Sequence, residues 1–191
     1  MSPSEGFPVI VTGGSRGIGA ATVALMAARG HPVVFSYVSN DAAAQDLCDR
    51  VASAGGQAVA CKGDAADEAA VATLFATCAE RFGAPGGVFA NAGITGPACG
   101  LPDLAPADLR RVLEVNVTGT FLTAQAALAA MTEGGSLVLM SSRAAKLGGA
   151  GEWLHYAASK GAIDTLCVGL AQEAGPRGIR VNAVAPGLIE T

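Results

Sequence analysis

Tyr156 and Lys160 stand four residues apart at the start of an Ala-rich helical stretch, so both fall on one face, one turn from each other. A free tyrosine, with a pKa of about 10, is a poor base at neutral pH. A neighbouring ammonium favours the phenolate, and the pair then becomes a unit able to pass a proton to or from an alcohol oxygen. Ser141 and Ser142, at the end of an apolar run, add hydroxyl donors. A second constellation lies near the start of the chain. Thr12-Gly13-Gly14-Ser15-Arg16-Gly17-Ile18-Gly19 follows the apolar run Phe7-Pro8-Val9-Ile10-Val11 and opens a helical pattern at Ala20. A strand that turns through glycines into a helix aims backbone N–H groups and the positive end of the helix dipole at one point, which suits a phosphate. Gly13, Gly17 and Gly19 lack a Cβ, so a pyrophosphate can approach the backbone and the helix can pack close to the strand. Alone, Tyr-x-x-x-Lys is usually an ordinary helix face and a glycine turn is often only a tight connection.

These residues need a frame, and the alternation of short apolar runs with Ala-rich segments supplies one. The pattern predicts strands at Pro8–Val11, Val33–Tyr37, Gln57–Cys61, Gly87–Ala90, Ser136–Met140 and Ile179–Ala183. It predicts helices at Gly17–Arg29, Asp41–Ala54, Glu68–Phe82, Pro106–Met131 and Trp153–Ala174. Glycine marks the helix ends at Gly30, Gly55-Gly56, Gly83, Gly134-Gly135 and Gly175-Pro176. Near-continuous apolar strands that alternate with helices imply a parallel sheet covered on both faces, an α/β/α doubly wound Rossmann-type fold in a single domain over 1–191. Ligands collect beyond the carboxyl ends of such strands. The glycine turn, Asn91 after the fourth strand and Ser142 after the fifth all fall at that end.

Composition narrows the class of function. Hydrophobic residues make up 51% of the 191 and charged residues 15%, as expected of a well-packed core and not of disorder. The formal charge is −4 with no basic block, which gives nucleic acid no electrostatic footprint. No apolar run is long enough to span a bilayer, and the first residues lack the pattern of a signal peptide. Five scattered cysteines without metal spacing suggest reduced thiols and a cytoplasmic protein, with no metal expected. The predicted fourth and fifth helices carry little charge, which suggests a homo-oligomer formed through them.

The order of these motifs closely resembles the classical short-chain dehydrogenase/reductase family, in particular its glucose-dehydrogenase-like and oxoacyl-reductase-like members, from Val9 to Thr191. Thr12-Gly13-x-x-x-Gly17-x-Gly19 is similar to the family's cofactor turn, with Ser15, Arg16 and Ile18 inside it. Gly63-Asp64, with Ala65 beside it, resembles the adenine-contacting position. Asn91-Ala92-Gly93 resembles the motif that closes the fourth strand around the cofactor, and Asn116 in Val115-Asn116-Val117-Thr118-Gly119 matches the helix asparagine. Ser142, Tyr156 and Lys160 match the catalytic serine, tyrosine and lysine. Pro186-Gly187 matches the turn beside the nicotinamide, with Ile189 and Thr191 next to it. The resemblance implies that Tyr156 is the acid/base and that Lys160 lowers its pKa and bonds the nicotinamide ribose. It further implies that Ser142, or Ser141 beside it, holds the substrate oxygen, and that Asn116 distorts its helix to bind a water on a proton path.

The cofactor choice rests on the end of the second strand. An acid there would bond the ribose 2′-OH of NAD; this chain has Tyr37, with Asp41 later as the expected cap of the next helix. Arg16 offers a charge-assisted donor to a 2′-phosphate, and Ser36, Ser39 and Asn40 offer neutral ones, so NADP is expected over NAD. The substrate class implied is a small alcohol or carbonyl compound, with Trp153 and His155 either shaping the entrance or packing. Family members continue for several tens of residues beyond the position of Thr191, where a substrate lid and a last strand are expected. The alternative reading is therefore a truncated, non-catalytic nucleotide-binding or subunit-interaction protein.

Overall fold

The computed structural model describes residues 6–131 and 134–189. Its six strands are β1 (Val9–Val11), β2 (Val33–Tyr37), β3 (Ala58–Lys62), β4 (Gly87–Ala90), β5 (Gly135–Met140) and β6 (Ile179–Val184). All pair in parallel in the order β3-β2-β1-β4-β5-β6. The chain winds outward from β1 to β3, returns to the centre, and winds outward again from β4 to β6. Direction reverses between β1 and β4, and ligands of open α/β sheets bind outside the strand ends at such a point.

The alternation along each inner strand explains the layers. Ile10 and Val34 join one core with Val71, Leu74, Leu137, Leu139 and Ile163. Val9, Val11, Val33 and Phe35 join a second core with Val23, Leu47 and Val51. The first lies under α3 (Glu68–Phe82), α5 (Gly119–Ala130) and α7 (Leu154–Ala174); the second lies under α1 (Gly17–Ala28) and α2 (Asp41–Ser53). Each fully buried Ile, Leu or Phe contributes about 1.5–3 kcal/mol through area removed from water. The edge strands depart from the predicted apolar continuity. β3 is only half-buried, and in β6 Ile179 and Val181 are buried while Arg180 and Asn182 are exposed.

Three corrections to the predicted elements bear on the site. The single helix expected over Pro106–Met131 is α4 (Pro106–Leu113), a π-helical turn over Glu114–Thr118, and α5. A short α6 (Ala144–Leu147) follows β5, closed by Gly148 in the left-handed conformation. The fifth predicted helix begins at Leu154, and the left-handed residue after it is Gly178, beyond a 3-10 turn at Gly175–Arg177.

The cap of α2 is Asn40, whose Oδ1 accepts from the Ala43 N–H at 3.0 Å; the cap is not Asp41, which is the first helical residue. Asp67 caps α3 by accepting from Ala69 and Ala70 at 2.8 and 3.3 Å. Both helices also carry an acid in the first turn, Asp41 and Glu68. At α1 the cap position is Arg16, with extended backbone, no side-chain cap and no acid in the first turn.

Candidate active site

The glycine turn after β1 is held from below. Gly13 and Gly17 take positive φ, at 65° and 53°. A Cβ on Gly19 would stand 2.3 Å from the Gly13 carbonyl oxygen, so only glycine lets α1 start this close to the turn. Ser36 Oγ accepts from Gly13 N–H at 3.1 Å, and the Ser36 carbonyl accepts from Gly14 N–H at 2.8 Å. Ser36 is thus buried, and its Oγ and carbonyl anchor the turn. The side chain of Asn91 donates to the carbonyls of Thr12 and Gly13 at 2.9 and 3.0 Å. The buried Thr12 hydroxyl accepts from the N–H groups of Asn91 and Ala92 at 3.0 and 3.1 Å. Asn91 therefore fastens the β1 loop to the β4 loop across the switch point, with Ala92 packed against Gly13. Ser15 and Ile18 lie on the outer part of the turn, and Arg16 is exposed with no ion pair among the described residues.

Two features of the outer site were not foreseen. Asp64 after β3 accepts from Ala66 N–H at 3.0 Å and from the guanidinium of Arg111 on α4. Burial acts to raise the Asp64 carboxyl, but these two donors outweigh it and hold the group below its ordinary range. Ala65 is buried against the start of α5, where a Cβ on Gly119 would press on its carbonyl group. At the end of β2, Asp41 pairs with Lys62 at 2.9 Å and accepts from the Tyr37 hydroxyl. Lys62, then Tyr37, lower the Asp41 carboxyl, and the bond to Asp41 raises the Tyr37 phenol. The sequence alone gave no contact for Arg111 or Lys62, because neither falls at a helical spacing from its partner.

The inner site is built from buried side chains. Asn116 sits fully buried in the π-helical turn. Its Oδ1 accepts from Ile94 N–H at 2.8 Å, and its Nδ2 donates to the Ile94 carbonyl and to Ser159 Oγ, each at 2.9 Å. Ser159 Oγ in turn donates to the Tyr156 carbonyl at 2.7 Å. The Asn116 carbonyl accepts from the Thr120 hydroxyl at 2.7 Å. This wide turn lets one asparagine join the loop after β4 to α7, and π-bulges recur at functional sites. Gly93 completes the junction: a Cβ there would lie 3.2 Å from Asn116 Oδ1 and 3.4 Å from Lys160 Nζ.

Lys160 is only 2% exposed. Its Nζ donates to the Met140 carbonyl at the end of β5 at 2.7 Å and lies 5.6 Å from the centre of the Tyr156 ring. Burial pushes its pKa down to about 8. The two serines after β5 divide their work. Ser141 is buried and donates to Asp164 at 2.6 Å. Ser142 Oγ accepts from Ala144 N–H at 3.1 Å, so its own proton remains for another acceptor. The Pro186 carbonyl accepts from Arg143 N–H at 3.0 Å, which docks the Pro186-Gly187 turn against this end of the sheet. Ile189 is exposed, and Thr191 lies outside the described residues. His155 is buried, its Nε2 has no hydrogen-bond partner among the described residues, and it packs under the loop at Gly96 as a packing residue. The cysteines are free thiols, and burial holds Cys78 up at about 11, where it is unreactive.

A switch-point crevice with a glycine turn on one side and a Ser/Tyr/Lys group on the other defines a nucleotide-dependent oxidoreductase of Rossmann type. A family model described as enoyl-(acyl carrier protein) reductase matches residues 13–191. The chain is 43% identical over 187 residues to the uncharacterized oxidoreductase YgfF of Escherichia coli, covering 95% of this chain and 76% of that protein. It superposes on a short-chain dehydrogenase/reductase from Serratia marcescens with a TM-score of 0.94 at 38% identity, covering 99% of this chain and 77% of that one. A short-chain dehydrogenase from Burkholderia cenocepacia, solved in complex with NADP, gives 0.93 at 38% identity and covers 98% of this chain and 76% of that one. The chain belongs to the classical short-chain dehydrogenase/reductase family, whose members are NAD(P)-dependent oxidoreductases. Among the described residues no helix is long and apolar enough to cross a membrane.

Proposed function

We propose that this protein transfers a hydride between NADP(H) and a small alcohol or carbonyl compound, with Tyr156 as the acid/base. The single observation that carries this reading is the buried ammonium of Lys160, fixed to Met140 and set beside the Tyr156 ring. A buried lysine ammonium is costly, and a tyrosine that must give and take a proton is a physical reason to keep one there. In the reducing direction the Tyr156 hydroxyl donates its proton to the substrate carbonyl oxygen, while Ser142 donates a hydrogen bond to the same oxygen. Lys160 bonds the nicotinamide ribose, and the Asn116 turn offers the path by which the proton is replaced. A reduced nicotinamide, when bound, supplies the hydride.

The residues present fit such a cofactor. The start of α1 has no side-chain cap and no acid in its first turn, and among the described residues Arg16 beside it makes no ion pair, as a phosphate requires. Gly13 to Gly19, Ala92 and Gly93 form its floor. Asp64 and Ala65 border the adenine side, and Pro186, Gly187 and Ile189 the nicotinamide side. Arg16 supports NADP over NAD. Tyr37 stands where NAD-binding members carry an acid, and Asp41, the carboxylate near that strand end, is already engaged by Lys62. The chain is read as cytoplasmic and as associating with a second copy through α5 and α7, whose Phe121 and Val168 are 52% and 60% exposed. A monomeric mass in solution contradicts the association.

Replacement of Tyr156 by Phe is expected to lower NADPH-dependent carbonyl reduction by about 1,000-fold, the scale of a lost general acid, while NADPH binding measured by fluorescence stays within about 3-fold. Retained turnover in Y156F contradicts the assignment.

A further inference from the structure

Met140, Ser141 and Ser142 are consecutive at the carboxyl end of β5, and each meets α7 or the site differently. The Met140 carbonyl accepts from Lys160 Nζ at 2.7 Å. Ser142 keeps a free hydroxyl proton at the crevice. Ser141, between them, turns its side chain to α7. There its buried hydroxyl lies 2.6 Å from Asp164 Oδ1 and 3.4 Å from the Lys160 carbonyl. Asp164 is one helical turn beyond Lys160 on the same face of α7. Its second oxygen pairs with Lys146 of α6 at 3.1 Å, an exposed lysine. The bond from Ser141, helped by Lys146, outweighs burial, which acts to raise the Asp164 carboxyl, and holds it below its ordinary range as a charged acceptor at neutral pH.

We propose that Asp164 is a positioning residue: through Ser141 it pins the end of β5 to α7, and so fixes the Met140 carbonyl that holds Lys160 and the adjoining Ser142 hydroxyl in place. This rests on the reading that Ser142, Tyr156 and Lys160 handle the proton. An apolar pair of the same size could fill the space, but it would not set register. A short charged hydrogen bond has one geometry, and a slip of β5 along α7 breaks it. Lys146 plays the lesser part, since its ammonium is mostly in water.

Lysine titration in the full chain tests this without any substrate. The sequence holds three lysines, Lys62, Lys146 and Lys160. Carbon-13 labelling at lysine Cε therefore gives three signals to follow with pH. In the wild type the Lys160 midpoint is expected near 8. In Ser141→Ala and in Asp164→Ala, Lys160 loosens from its buried seat and its midpoint rises toward 10.5, the ordinary lysine value. The double variant rises no further than either single one. Asp164→Asn, whose amide oxygen still accepts from Ser141, returns the midpoint toward 8, and Lys146→Ala matches the wild type. Ser141→Ala removes one oxygen atom and serves as the second variant should Asp164→Ala fail to fold. An unchanged Lys160 midpoint in Ser141→Ala and Asp164→Ala overturns the proposal, as do single shifts that add in the double variant. Turnover retained in Tyr156→Phe would instead overturn the underlying reaction scheme and leave these titrations as they are, so the two failures are distinguishable.

Discussion

The starts of α1 and α3 face the same end of the sheet and are built in opposite ways. Asp67 closes the first turn of α3 with two hydrogen bonds, and Glu68 adds negative charge at the positive end of its dipole. The start of α1 has a cationic arginine at the cap position, no side-chain bond and no acid. One helix is finished by its own chain, and the other has a start that an anion could finish, as proposed above. The same contrast separates the two halves of the crevice. In the proposed reading the glycine turn meets its ligand through the main-chain donors at the start of α1, since its Gly13 and Gly14 N–H groups are bonded to Ser36. The Asn116–Ser159–Tyr156 and Met140–Lys160 contacts hold buried polar groups in place, with donors of Lys160 left over. The first half gains stability when its ligand arrives, and the second is preorganised before it does.

The contrast can be broken by substitution, and the largest stability effect lies at Lys160. Burial lowers Lys160 from 10.5 to about 8, a difference worth about 3 kcal/mol between its two protonation states. Below pH 8 the ammonium is buried at full cost in the folded state. As pH rises from 8 to 10.5 the folded protein releases the proton before the unfolded chain does, and the cost fades. In urea unfolding, the stability of Lys160→Met relative to wild type is therefore expected to be most favourable below pH 8 and to decline by about 3 kcal/mol toward pH 10.5. A difference that is flat with pH contradicts a buried charge.

A smaller effect is expected from giving α1 the cap that α3 has. Arg16→Asp places a carboxylate where it can accept from the open N–H groups of the first turn. The apo protein is expected to gain about 1 kcal/mol in thermal unfolding, while NADPH affinity falls by about 10- to 100-fold. A stabilised protein that still binds NADPH tightly shows that the open helix start is not the phosphate site. The smallest effect is the converse one. Asp67→Ala is expected to cost about 1 kcal/mol and leave NADPH affinity within about 2-fold.

Much of this arrangement was legible in the sequence because it is local. The glycine turn, the strand and helix alternation, and the Tyr156/Lys160 spacing are each set by residues within a few positions of one another. The residue pattern alone reads Leu113 to Thr120 as continuous helix, and only the family resemblance put a distortion at Asn116, where the π-helical turn lies. It is imposed by the match between the Asn116 amide and the backbone of Ile94, 22 residues away. The partners of Asp64, Asp41 and Ser141 were hidden for the same reason, as Arg111, Lys62 and Asp164 approach them only through the fold. The anchoring of Gly13 and Gly14 by Ser36 was hidden for the same reason, since the two segments meet only through the fold.

Fluorescence titration of the full chain with NADPH and with NADH tests the central claim most directly. The uncapped α1 start and the exposed Arg16 predict saturable binding of NADPH, tighter than that of NADH by at least about 10-fold, the scale of one charge-assisted phosphate contact. Equal affinity for the two would remove the role given to Arg16, and binding of neither would contradict the reading of the uncapped α1 start as a dinucleotide phosphate site.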